Sequence, residues 1–179
     1  TKDSHLQASD CTIYSNSSNS SSVYLGDSSS IDAQAVCTVG GVKDNGSLNG
    51  QKVVTDCPVL ADPLAGRPTP PIGPCLANNF AATTGTHDLE PGTYCGGIRA
   101  SGDAVLNFAS GEYIIKDGLF TVFDKAVARG KNVGFYMSGS RALLHFRGNA
   151  TIDLSGREEG LLAGMLMYDD PKGSILRIH

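Results

Sequence analysis

A degenerate motif that occurs twice, nineteen residues apart, restricts the fold of this chain more than any other feature. Pro91-Gly92-Thr93-Tyr94-Cys95-Gly96-Gly97-Ile98 is echoed by Ser110-Gly111-Glu112-Tyr113-Ile114-Ile115-Lys116-Asp117-Gly118. Another step of nineteen from Tyr113 falls on Asn132, at the head of Val133-Gly134-Phe135-Tyr136-Met137, and a later apolar run occupies residues 161–168. Between them lie brief alternating runs, residues 104–108, 119–123, 142–146 and 150–154, each bounded by Gly, Ser, Asn or Asp. Strand-length segments separated by turn residues at a spacing near twenty are what one coil of a stacked β architecture requires, because each coil turns corners before lying on the previous one. The expected fold is all-β: a single-stranded parallel β-helix, or β-solenoid, right-handed, with a β-sandwich as the alternative arrangement. Matched positions of successive coils would stack about 4.8 Å apart, so Gly92 and Tyr94 would sit over Gly111 and Tyr113 as a stacking repeat, with the tyrosines forming a ladder.

Composition agrees with that reading. Only 18% of the residues are charged and 22 are glycine, so the polar surface is carried by Ser, Asn, Thr and Gly, residues that suit turns and disfavour helix interiors. The net charge of −4 and the lack of any Lys/Arg cluster beyond two neighbours argue against a nucleic-acid partner. No run approaches 18 consecutive apolar residues, and the start Thr1-Lys2-Asp3 has neither an initiator Met nor the plan of a signal peptide. The chain is expected to be trimmed, with any export signal or anchor preceding Thr1.

One solenoid domain is expected over residues 1–179: Ser/Asn-rich coils over 1–56, a Pro-rich crossover over 57–75 and regular coils over 76–179. The early coils read as residues 11–14, 22–25, 30–33 and 36–39; the nine serines between Ser15 and Ser30 resemble a linker, but Val23-Tyr24-Leu25 interrupts them in strand fashion and favours an ordered coil. Pro68, Pro70, Pro71 and Pro74 cannot donate to a β-ladder, which makes their segment a loop. At the far end, residues 174–179 read as a strand without a cap.

Five cysteines, Cys11, Cys37, Cys57, Cys75 and Cys95, suggest two disulfides and a spare thiol in an oxidising compartment; a reduced protein with buried cysteines is the alternative. Sequence does not determine the pairing; Cys11 with Cys37 and Cys75 with Cys95 is the expected pattern, leaving Cys57 free. No zinc-ligand spacing occurs, and neither a metal nor a cofactor is expected.

The acid pairs Asp117 with Asp124, Glu158 with Glu159 and Asp169 with Asp170 are the candidates for polysaccharide-cleaving chemistry, which needs carboxylates roughly 5 to 10 Å apart across a cleft. Each pair sits in a turn-like context, so solvated corners are expected and no catalytic residue is assigned. Ser138-Gly139-Ser140 and Ser155-Gly156 lack a nucleophile frame, and His87, His145 and His179 are expected to be structural or exposed, with His145 pointing outward. Asn16, Asn19, Asn45 and Asn149 head N-x-S/T triplets, which matter only on a eukaryotic secretory route.

Taken together, Asp62-Pro63-Leu64 after Cys57, the Pro-rich run to Cys75, Leu89-x-Pro91-Gly92-x-Tyr94-Cys95-Gly96-Gly97-Ile98, Ser110-Gly111-x-Tyr113-Ile114-Ile115-x-x-Gly118 and the later Gly160-Leu161-Leu162-Ala163-Gly164-Met165 resemble the C-terminal region of TadG-like proteins, accessory proteins of bacterial tight-adherence (Flp) pilus systems. The similarity runs from about Cys11 to the end, and its motifs are structural. It implies an extracytoplasmic envelope protein, periplasmic or at the cell surface, with one N-terminal anchor and no catalytic residues to carry over. Against that pattern, the anchor is expected to precede Thr1 and the terminal coils to follow residues 174–179, as for a soluble fragment. The expected function is therefore a non-catalytic structural or adhesion component of the cell envelope. Its expected partners are other pilus-assembly or envelope proteins and further copies of itself through the solenoid ends, with membrane contact only through an anchor outside this chain. The alternative is a carbohydrate-binding or polysaccharide-cleaving β-helix protein, a lyase or glycoside hydrolase.

Overall fold

The computed structural model describes residues 5–48, 52–62 and 64–170. Every regular element among them is a β-strand and every pairing is parallel, giving a β-solenoid fold of about seven turns in all. The chain divides into two compact units, Thr1–Pro63 and Leu64–His179.

The first unit holds β1 (His5–Ser15), β2 (Val23–Leu25), β3 (Ser30–Thr38), β4 (Val42–Asp44) and β5 (Lys52–Val54). β1, β3 and β5 form one face and β2 and β4 another. The serine-rich stretch thus forms a turn and β2, and residues 30–33 and 36–39 merge into the single strand β3 apart from Val39. The core is thin, centred on Leu25, Ala33, Val36 and Thr38. The connection that follows is tied back by Asn16, whose amide donates to the Leu60 carbonyl at 2.8 Å while its oxygen accepts from the Leu60 N–H at 3.0 Å.

The second unit holds β6 (Cys75–Ala82), β7 (Thr86–Leu89), β8 (Gly92–Ala100), β9 (Val105–Phe108), β10 (Gly111–Val122), β11 (Val127–Gly130), β12 (Val133–Ser138), β13 (Leu143–Phe146), β14 (Thr151–Leu154) and β15 (Met167–Asp169). Three faces enclose its core. The first halves of β6, β8 and β10 pair with β12 and β15; the second halves of the same strands, beyond a corner, end on β13; β7, β9, β11 and β14 make the third face. The apolar run 161–168 contributes only the short β15, its first half being a turn. Residues 174–179 lie outside the described residues.

The Gly-x-Tyr repeat is a hydroxyl clamp. Tyr94 donates to the carbonyl of Glu90 at 2.9 Å, and Tyr113 repeats that bond four residues back, to Ala109 at 2.8 Å, while also donating to Leu89 of the preceding coil at 2.7 Å. The glycine is needed because the chain enters the strand at φ 154° at Gly111, where a Cβ would lie 2.2 Å from Pro91 Cγ. The coil length, however, is not a constant nineteen. Thr86 pairs with Val105, a step of nineteen, but Val105 pairs with Val127 and Tyr113 with Phe135, steps of twenty-two. The difference lies in β10, which has 12 residues where β8 has 9. Tyr113 consequently faces Gly92, and Tyr94 faces Ile115. A two-residue offset keeps a side chain on the same face of its strand, so both tyrosines still point inward. Their ring centroids lie 6.0 Å apart, and the stack continues from Tyr113 to Phe135 at 5.3 Å rather than to Asn132. Phe108 meets both Tyr113 and Phe135 edge-on at 5.1 Å.

Two disulfides are present, and one differs from expectation. Cys75 is joined to Cys95, but Cys37 is joined to Cys57 and Cys11 is the exposed free thiol. A register irregularity between Ala8 and Thr12 sets Tyr14, not Cys11, opposite Cys37. Cys11 is then three residues away along the strand, about 10 Å, beyond the reach of a disulfide. Cys57 follows β5, whose Val54 pairs with Cys37, and its N–H donates to Thr38, bringing the two Cα atoms within 6.1 Å. Both bridges are of the kind that an oxidising, extracytoplasmic compartment supports.

Peptide mapping without reduction is expected to yield cross-linked Cys37–Cys57 and Cys75–Cys95 fragments and alkylated Cys11; a Cys11–Cys37 fragment would contradict this topology. Burial, followed by the nearby Tyr94 and Glu90, pushes the Tyr113 hydroxyl well up from its ordinary 10.0. The unfolded chain therefore releases this proton before the folded one does, so stability holds up to about pH 10 and falls beyond it by up to about 1.4 kcal/mol per pH unit for this group. Tyr113→Phe is expected to lose about 1–3 kcal/mol in urea unfolding at neutral pH, because the hydroxyl's hydrogen bonds to the Leu89 and Ala109 carbonyls are lost, and to show a shallower alkaline decline.

Candidate functional site

The corner between the first two faces of the second unit is built from a column of residues with positive φ: Asn79 (50°), Gly96 (74°) followed by Gly97 (95°), Asp117 (53°) and Gly139 (93°). Asn and Asp are the side chains that best tolerate this left-handed conformation, since their short polar groups can bond locally. A second column of the same kind, Gly102 (58°), Asp124 (61°) and Gly148 (70°), turns the chain at the other end of that face. Asp117 and Asp124 thus stand at two different corners. Asp124 accepts from the Gly102 N–H at 3.2 Å, bracing its coil against the one before.

The other acid pairs are also placed by the scaffold. Glu158 donates its N–H to the Asn132 side chain at 2.9 Å, and the Glu159 carbonyl accepts from Arg157 at 3.2 Å. Arg157 reaches further, to the Asn132 carbonyl at 2.9 Å and the Ser110 hydroxyl at 3.2 Å, and Ser155 accepts from the Asn132 N–H at 3.1 Å. This network ties three coils at the third corner. The N–H of Asp170 donates to Met137 at the end of the β15 pairing. Glu112, which no sequence signal marked, accepts from the Leu162 N–H at 3.0 Å and anchors the turn before β15.

The serines and histidines do not form a nucleophile constellation. Ser138 is buried in β12 and Ser140 is exposed on the next turn. His87 bonds Thr84 at 2.9 Å and packs edge-on against Phe80, while His145 pairs with Thr121 in register, beside the buried Leu144. His179 lies outside the described residues. Among the described residues no group of three or more His, Cys, Asp or Glu is arranged to hold a metal ion.

One concave feature of the unit is a groove of about 680 Å³ beside the Asn79 to Gly139 column. It exists because the corner packs backbone on backbone. A Cβ on Gly97 would lie 2.2 Å from the Leu119 carbonyl oxygen, and one on Gly118 would lie 2.0 Å from Gly96. With no side chains there, the floor is sunk between Leu119 and Leu143 on one side and the corner on the other, with Arg99, Asp117 and Arg141 at its margin. The Gly96-Gly97 and Asp117-Gly118 pairs were visible in sequence, but only the strand register brings them together as one hollow.

Asp117→Val is expected to destabilise the unit by about 1–2 kcal/mol in thermal or urea unfolding, the cost of a left-handed conformation, and Asp117→Gly to leave it within about 0.5 kcal/mol of the parent. Equal losses in the two variants would show that the side chain rather than the backbone geometry matters at this corner. Among known proteins, no family model, no curated protein and no solved structure matches the chain.

Proposed function

We propose that this chain is a non-catalytic structural or adhesion module of a bacterial cell envelope, displayed in the periplasm or on the surface and acting with tight-adherence (Flp) pilus assembly. The observation that carries the reading is how the second unit uses its polar side chains. The Tyr113 hydroxyl, Asp124, Glu112, Asn132 and Arg157 all bond backbone or side chains of neighbouring turns, so these groups hold the stack together. The two disulfides add support for life outside the cytoplasm, and the resemblance of the Asp62-Pro63-Leu64 and Gly-x-Tyr segments to TadG-like proteins supplies the pilus context. Partners on this reading are other envelope or pilus-assembly proteins and further copies of the solenoid.

Deleting the gene from its host is expected to abolish pilus display and surface attachment, with both restored by the wild-type gene on a plasmid. Unchanged piliation and attachment in the deletion strain would overturn the proposal.

A further inference from the structure

The groove of the second unit is bordered by two guanidiniums, those of Arg99 and Arg141, that donate no hydrogen bond among the described residues. The arginines of the corners and turns are bonded: Arg67 donates to the carbonyls of Leu161 and Ala163, Arg129 to Asn107 at 2.9 Å, and Arg157 to three coils as above. Arg99 instead lies over the ring of Phe123 at 4.6 Å, and Arg147 lies over the same ring at 5.0 Å. Arg141 makes no hydrogen bond or ion pair among the described residues. Three exposed arginines therefore share one face of a chain whose net charge is −4, and two of them border its groove.

The groove has a shape and a chemistry of its own. Its lining comes from four successive coils, through Asn79, Gly97, Leu119 and Leu143, and so extends across three strand spacings, about 14 Å. Such a trough suits a linear ligand lying along the stack. Guanidiniums select carboxylate or phosphate. The carboxylate of Asp117 would repel a simple polyanion but accepts hydrogen bonds from hydroxyls, and the Asn79 amide and Ser140 hydroxyl can do so as well. Leu119, 44% exposed, together with Phe80 and Leu143 of the lining, offers an apolar surface of the kind that covers C–H groups. Anionic groups, hydroxyls and apolar ring faces on one linear molecule describe an acidic sugar polymer.

We propose that this groove binds a carboxylated glycan, a polyuronate segment lying along the coils with its carboxylates on Arg99 and Arg141 and its hydroxyls on Asp117. The site is additional to the scaffold role and depends only on the geometry of the second unit.

The test is calorimetric titration of the full chain with three probes: a short oligogalacturonate, a neutral oligosaccharide of the same length, and inorganic polyphosphate. Oligogalacturonate is expected to bind more tightly than either comparator. Arg99→Gln and Arg141→Gln should each weaken it by about tenfold, the loss of one charged hydrogen bond. Asp117→Asn keeps a residue suited to the corner, and it should weaken oligogalacturonate while leaving or improving polyphosphate. No oligogalacturonate binding, equal binding of the neutral sugar, or polyphosphate as the tightest ligand would each overturn the proposal. The titration uses purified protein, so its failure leaves the pilus reading untouched, and a normal deletion phenotype leaves the groove untouched.

Discussion

Parallel coil-on-coil hydrogen bonding is the constraint on which everything else depends. A parallel ladder has no hairpin to close it, so each coil must leave its face, turn, and return in register with the coil before. A corner that worked by one backbone conformation in one coil and another in the next would break the ladder on both sides. The left-handed residues therefore fall in columns, Asn79 to Gly139 at one corner and Gly102 to Gly148 at another. The positions of Asp117 and Asp124 follow from this, and so does the hollow beside the first column.

Inside, the same constraint acts on side chains. Tyr94, Tyr113 and Phe135 meet because inward positions recur at each turn, and Phe108 of the third face closes the cluster from the side. A phenol in such a core needs a partner for its hydroxyl, and the acceptors it finds are the carbonyls where the chain turns into the strand. The clamp thus links core packing to corner geometry, and desolvation of the same hydroxyls raises the affinity of Tyr94 and Tyr113 for their protons.

Much of this was legible in the sequence because corners leave local marks. Gly92 with Tyr94, and Gly111 with Tyr113, are each read within three residues, and the bond of each tyrosine to the carbonyl four residues back is equally local. What failed to appear were the quantities set by pairing. The step from Tyr113 to its neighbour is longer than the motif spacing because β10 holds three more residues than β8, and nothing in composition marks where a ladder absorbs them. The Cys11 reading failed for a related cause: the pairing sets Tyr14 opposite Cys37 and leaves the Cys11 thiol three residues away along its strand. The groove was hidden because its floor is an absence of side chains shared by two strands, Gly96-Gly97 in β8 and Gly118 in β10.

The two disulfides have a mechanical consequence. Each spans 20 residues and joins a coil to its neighbour, Cys37 to Cys57 in one unit and Cys75 to Cys95 in the other. A solenoid pulled from its end yields by peeling, each released coil of that length paying out up to about 70 Å of chain. A covalent bond between adjacent turns removes that slack, so the residues between the bridged cysteines cannot be drawn out until a thiol cuts the bond. In an oxidising compartment, each bridge therefore shortens by one coil the length of chain that peeling can release.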